Sequence, residues 1–412
     1  MRPVIQTICR APLALALIAC ASLLLACSPA PDASAAAPLD DSSAANPTPA
    51  PTAAPTPTPE PTLEPTPVLA LDPRQIWVAP DAGAVQAVAS VATDGTLTVV
   101  GLPLDDGQTA GSLTADPHGT TLAYLLWGAD GSQQGIAVWP LAEPDDRLLV
   151  ETPAGARIIA LALSGDGREV AYVEVREDGV PLADADWALK LASLEGGESC
   201  VLTSRGALEN ALPLVPFAWV AGGPILLAPA ALRDEPASVY AVDPATGHAR
   251  RLFEAETPMV GEPRLSPSGA RLAYAVAELD VAAHVYDLRL SRTTAVETPD
   301  GMAALSLRWH PDGEHLLLDL TAPSPADDGR TAQLWALVPV DGEEGERVSS
   351  AQVREGLFDY APFGDGVVYT TTQSEDACTI TIKPDIVSET EYSISLDALA
   401  QPGCAPFLIH VP

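Results

Sequence analysis

Basic side chains are scarce in this chain: 21 Lys and Arg stand against 55 Asp and Glu, a formal net charge of −34 over 412 residues. Such a field repels phosphate backbones and anionic lipid headgroups, which argues against nucleic acid as a partner. Only two lysines occur, Lys190 and Lys383; a GC-rich coding sequence accounts for the arginine bias without a functional reading. Beyond Leu71 no stretch offers a capped amphipathic helix. There is no C-x-x-C pair, so neither a structural zinc site nor a thioredoxin-like motif is indicated. H-E-x-x-H, G-x-S-x-G and a Gly-rich phosphate loop are missing too. What the chain does have is 47% hydrophobic residues, ample for a core, and 41 prolines.

The first 26 residues read as an export signal. Arg2 and Arg10 supply a basic start, and Ala11–Ala26 is an apolar run too short to span a bilayer comfortably. Its ending, Leu24-Leu25-Ala26-Cys27, resembles the bacterial lipobox, and that resemblance implies a lipid on Cys27. Leu17-Ile18-Ala19-Cys20 fits the same pattern, but cleavage before Cys27 keeps a full apolar region upstream and a polar segment downstream.

Residues 27–70 then form a low-complexity Pro/Thr/Ala-rich linker, including NPTPAPTAAPTPTPEPTLEPTP at Asn46–Pro67. Closely spaced prolines hold φ near the polyproline value and remove amide donors, so neither helix nor sheet forms. At about 3.1 Å per residue, such a disordered tether lifts a domain on the order of 100 Å from a membrane.

From 71 to 412 the character changes to short apolar and β-branched runs between Gly, Pro and Asp clusters, the pattern of a many-stranded β domain. A strand-turn-strand unit recurs six times, marked by Gly119, Gly167, Gly223, Gly269, Gly313 and Gly366 at intervals of 44 to 56 residues. Its cleanest copy is PRLSPSGARLAYAVA around Gly269. Second hairpins follow, at Ser238–Phe253, His284–Thr298 and Gln333–Ser349. Four strands per unit of this length is a propeller blade. The variable lengths fall between strands two and three, at Arg176–Asp186 and Ala322–Arg330, and function is expected in those loops.

The units resemble the TolB-type propeller repeat, related to the WD-type repeat. Leu272-Ala273-Tyr274, Val170-Ala171-Tyr172 and Leu122-Ala123-Tyr124 carry its aliphatic-Ala-aromatic ending, and His310-Pro311-Asp312-Gly313 is the nearest match to its turn. The units at Val220–Pro224 and Ala361–Gly366 depart from it and read as degenerate blades. The resemblance implies an all-β propeller of six or seven four-stranded blades and protein contacts in the cell envelope. Thr96–Ser112 reads as a second hairpin, with Val85–Ala92 as the strand before it. Pairing the spare strand Pro406–Val411 with the N-terminal one closes the ring and leaves no exposed edge, which favours seven.

Among candidate sites, Cys378 and Cys404 are placed for a disulfide within the last unit of an exported protein, leaving Cys200 a buried thiol. Sequence alone does not decide that connectivity. His310 and His315 flank a turn at a spacing conceivable for a metal pair, yet His310 holds a turn position of the repeat, so a structural role is preferred. Asp184, Asp186 and Asp327-Asp328 lack the full spacing of a calcium loop and read as solvated loops. Carboxylate pairs for glycoside hydrolysis cannot be chosen among 55 acids. No catalytic, cofactor-binding or metal-binding residue is assigned.

The expected function is that of an extracytoplasmic lipoprotein, a monomer held to the cell membrane by its lipid anchor, whose propeller binds a protein, peptide or glycan of the envelope. The alternative is a propeller hydrolase acting on a glycan or peptide. Prolyl-oligopeptidase-like proteins set an α/β-hydrolase domain beside such a propeller; with no nucleophile elbow before Pro412, that version is not expected. A passive spacer is the third reading.

Overall fold

The structure is a computed structural model that describes residues 76–410 apart from 81–84, 93–95, 143–146, 177–178, 183, 197–198, 209–211, 231–236, 277–280, 298–301, 323–331, 342–346, 350–356, 375–376, 385–389 and 397–405. The export signal, Cys27, the proline-rich linker and Cys404 therefore lie outside the described residues.

Seven four-stranded antiparallel sheets make up the described chain. The one helical segment among the described residues is a three-residue 3-10 turn, Arg205–Ala207. Blades two to seven each begin at the centre and run outward in sequence order. Their innermost strands are Thr109–Ala115, Ala156–Leu163, Leu214–Trp219, Met259–Leu265, Ala303–Trp309 and Leu357–Phe363. Blade one is assembled from both ends of the domain. Pro406–His410 is its innermost strand and pairs antiparallel with Ile76–Pro80, followed outward by Ala87–Val91 and Leu97–Gly101. Each innermost strand contacts those of the blades on either side, so the seven form a closed ring.

Seven blades and closure by the C-terminal strand agree with the expectation from the repeats. The boundaries near the start do not. Ile76–Pro80 is a strand the repeat pattern missed, because no Gly turn marks it. Thr96–Ser112 is not one hairpin: Leu97–Gly101 ends blade one and Thr109–Ala115 opens blade two.

Seven apolar clusters, one at each interface between neighbouring blades, hold the ring together. A blade is therefore buried on both faces, which is why its middle strands read as continuous apolar runs rather than alternating ones. Leu122, Ala123, Tyr124, Leu125 and Leu126 of blade two are all buried: Leu122, Tyr124 and Leu126 face blade one, while Ala123 and Leu125 face blade three. Each large side chain buried in this way contributes about 1.5–3 kcal/mol. Among the outermost strands, Arg292–Glu297 is exposed except at Val296. Charge along such an edge discourages pairing with another chain.

The turns after the innermost strands of blades two, three and five share one device. Asp116, Ser164 and Ser266, three residues before the turn glycine, accept with a side-chain oxygen the amide at the start of strand two, from Thr121 (2.6 Å), Glu169 (2.9 Å) and Arg271 (3.0 Å). The glycine itself takes a left-handed φ, as at Gly269 (69°), which side chains with a Cβ rarely adopt. In the two degenerate units the left-handed glycines are Gly222 and Gly364 rather than Gly223 and Gly366. The last unit is a tighter hairpin, with Phe363 paired to Gly366 across only two residues.

Candidate functional site

In every blade the ladder between the innermost strand and its neighbour carries a register shift. A bulge bends the strand and re-aims the side chains beside it. In blades five, six and seven the shifts fall between Val260 and Arg264, Ala304 and Ser306, and Leu357 and Asp359. The residues that follow them, Arg264, Ser306 and Asp359, all line one cavity of about 290 Å³. Val260, Gly261, Glu262, Leu307, Arg308, Asp319 and Tyr360 complete its wall.

One side of the cavity is fully wired. The Arg308 guanidinium donates to Asp359 Oδ1 at 2.9 Å and lies over the Tyr360 ring, 5.4 Å from its centroid. The Tyr360 and Leu408 amides also donate to the Asp359 carboxylate, at 2.9 and 3.1 Å. Asp359 of blade seven thus ties blade six to the closing strand of blade one. Buried Tyr360 shares a hydrogen bond of 2.9 Å with Ser306, and burial pushes its phenol above the ordinary range.

The other side is not. Asp319 is 5% exposed, and its Oδ1 has no hydrogen-bond partner. Burial pushes its carboxyl up to about 6, into the range where it is both acid and base near neutrality. Arg264 pairs with Glu262 at 3.1 Å, while its Nε is enclosed and unpartnered. Enclosure, and then the charge of Arg308, push this guanidinium below its usual range. A buried polar atom left without a partner costs about 1–3 kcal/mol. Here two such atoms belong to residues lining the same cavity, each enclosed within its wall.

A second polar cluster sits at the turn of blade six. Asp312 Oδ2 lies 2.9 Å from His310 Nδ1 and 2.7 Å from His315 Nδ1. His310 Nε2 bonds the Gly364 carbonyl of blade seven at 2.7 Å. Burial raises the Asp312 pKa, but donation from the Glu314 amide and from the His315 ring and amide outweighs it, leaving the carboxyl at about 2.

The sequence-derived candidates fare unevenly. His310 and His315 are brought together, with Asp312 as a third member. Asp184 and Asp186 are exposed, as expected of solvated loops; Asp327 and Asp328 lie outside the described residues. Cys200 and Cys378 are both disulfide-bonded, which for Cys200 replaces the thiol expected there. The cavity lies on first strands, with Asp319 from a second strand, and not on the loops between strands two and three where function was expected.

Sequence reasoning passed over Asp319, Arg264 and Arg308, though a signal was present. Asp319 stands six residues after its turn glycine, the place held in sister blades by Leu125, Val173 and Ala275, each buried. An acid in an otherwise apolar blade position is the departure to look for. The two arginines share a repeat position five residues before Gly269 and Gly313.

No family model matches the chain, and no curated protein does. Solved structures do. A puromycin hydrolase aligns at a TM-score of 0.53 and 14% identity, over 78% of this chain and 52% of its own. Prolyl endopeptidases align at 0.53 and 12%, over 78% of this chain and 50% of theirs. TolB from Acinetobacter baumannii aligns at 0.42 and 15%, over 67% and 65%. The chain spans about half the length of the first two. At these identities the likeness is one of fold. This chain is a seven-bladed β-propeller.

Proposed function

We propose that this protein is a binding module of the bacterial cell envelope, lipid-anchored at Cys27 and held out by its proline-rich segment, that takes part of a glycan or peptide partner into the cavity of blades five to seven. The observation that carries the reading is a preformed cavity of about 290 Å³ whose wall brings Arg264, Ser306, Arg308, Asp319 and Asp359 together from three blades. A neutral, hydroxyl- or amide-rich segment offers both a donor and an acceptor, and suits walls whose other charges, Arg308 and Asp359, already neutralise each other. Fold likeness contributes nothing to the choice of ligand, since one fold hosts many functions.

A second reading rests on Asp319 itself. A carboxyl near 6 beside an open cavity suits a general acid or base, so a propeller hydrolase of glycan or peptide substrates is the alternative. One experiment separates the two. The purified full chain is titrated against a panel of envelope glycans and peptides by calorimetry, and bound ligands are followed by mass spectrometry. Binding that weakens at least about tenfold in Arg264→Ala, with ligand mass unchanged, supports the binding module. Cleavage that disappears in Asp319→Asn establishes the hydrolase instead. Binding that both variants leave untouched removes the cavity from either role. Palmitate-analogue labelling tests the anchor separately: label surviving Cys27→Ala would sink that assignment.

A further inference from the structure

We propose that His310, Asp312 and His315 form a binding site for one divalent transition-metal ion of the zinc class, separate in its residues from the cavity and independent of the function proposed for it. One ligand atom from each of the three lies within 4.8 Å of the other two. Zinc holds imidazole nitrogen and carboxylate oxygen at about 2.0–2.2 Å, so the ligands of a tetrahedral site stand about 3.4 Å apart. The carboxylate here lies 2.9 and 2.7 Å from the two ring nitrogens, hydrogen-bonding distances that open by about half an ångström to admit an ion in place of the ring proton.

The tautomer of His310 strengthens the case. Its Nε2 lies 2.7 Å from the Gly364 carbonyl, which accepts only, so Nε2 carries the hydrogen. Nδ1 is the ring's other coordinating atom; the Asp312 amide donates to it at 3.4 Å, and the Asp312 carboxylate lies 2.9 Å away. A ring N–H held by a backbone carbonyl is also how proteins orient a histidine whose other nitrogen binds metal.

Comparison with sister blades removes the turn-capping explanation. At the position of His310, Asp116, Ser164 and Ser266 each cap the amide five residues on. In blade six Asp312 Oδ1 accepts that amide, from His315, at 3.1 Å. His310 is relieved of the repeat's task. The residue that follows the turn is itself histidine, where the sister copies have Thr121, Glu169 and Arg271. Two imidazoles and one carboxylate suit zinc, nickel or iron better than calcium or magnesium, which prefer oxygen ligands. His315 and Asp312 are about one-third exposed, leaving access for water to fill the remaining coordination positions.

The test uses the purified full chain, stripped with chelator and titrated with Zn²⁺ alone by calorimetry, and with Co²⁺ alone by visible absorption. One equivalent is expected to bind. His315→Gln and Asp312→Asn should each weaken it at least about tenfold, within the 10- to 100-fold typical of perturbed metal sites. His248→Asn, an exposed histidine elsewhere, should leave it unchanged. His315→Gln keeps the turn, because the backbone amide rather than the ring bonds Asp312 Oδ1; its circular dichroism and its unfolding in chelator should match the parent. No saturable binding by the parent chain overturns the proposal. So does binding that His315→Gln and Asp312→Asn leave intact, which would place the ion elsewhere.

Discussion

Replacing Asp319 by Asn should abolish a specific part of the protein's pH-dependent stability. In the folded chain the carboxyl is raised from 3.8 to about 6 because burial disfavours its charged form, and its Oδ1 has no hydrogen-bond partner. Unfolded, it reverts to the ordinary value. Between the two the native state binds more protons than the unfolded state, so stability is full below the unfolded value and falls as pH rises through about 6. A difference of about 2 units at 1.36 kcal/mol per unit amounts to roughly 3 kcal/mol once the group is fully ionised, most of it lost between about pH 4 and pH 7. The assay is urea unfolding by tryptophan fluorescence at several pH values, for parent and Asp319→Asn. Taking the difference cancels the titration of the remaining acids. Parent minus variant should fall by about 2–3 kcal/mol across that range. The carboxamide leaves its own polar atoms unpaired, at about 1–3 kcal/mol, so the slope and not the absolute stability is the readout. Asp319→Val, copying Val173 of blade three, should remove the slope and the unpaired atom together. Parallel curves for parent and both variants would mean the site is wetter than the structure has it, and the reasoning would fail.

Two further outcomes follow from the wiring of the ring. Arg308→Ala removes the partner of Asp359 at a site where both side chains are under one-quarter exposed, and should cost about 1–3 kcal/mol, between the values for surface and buried pairs. Asp359→Ala should cost more, about 2–4 kcal/mol, because it also strands the Tyr360 and Leu408 amides; thermal unfolding that ranks the two the other way would contradict the network. Removing residues 406–412 deprives blade one of its innermost strand and leaves Ile76–Pro80 as an unpaired edge. That chain should lose its cooperative melt and become sensitive to limited proteolysis, whereas an unchanged melt would refute closure by the C-terminal strand.

Repeated turn glycines, aliphatic-Ala-aromatic strand endings and four-strand spacing are local chemistry, and they sufficed to read a propeller and to lean to seven blades. Pro406–His410 was legible as a spare strand because it followed a complete unit. Its partner Ile76–Pro80 was not, since a strand completed by a distant segment carries no turn signal of its own. Convergence was equally invisible. Arg264, Ser306 and Asp359 lie in three different repeats, each beside a bulge that no composition marks, and only the ring brings them to one cavity. Asp319 was readable as an acid among apolar sister positions, but the enclosure of its Oδ1 without a hydrogen-bond partner is a fact of packing. His310 shows the limit from the other side: its place in the repeat argued for a turn role. That role passed to Asp312 through hydrogen-bond geometry, which depends on which amide the chain presents after folding.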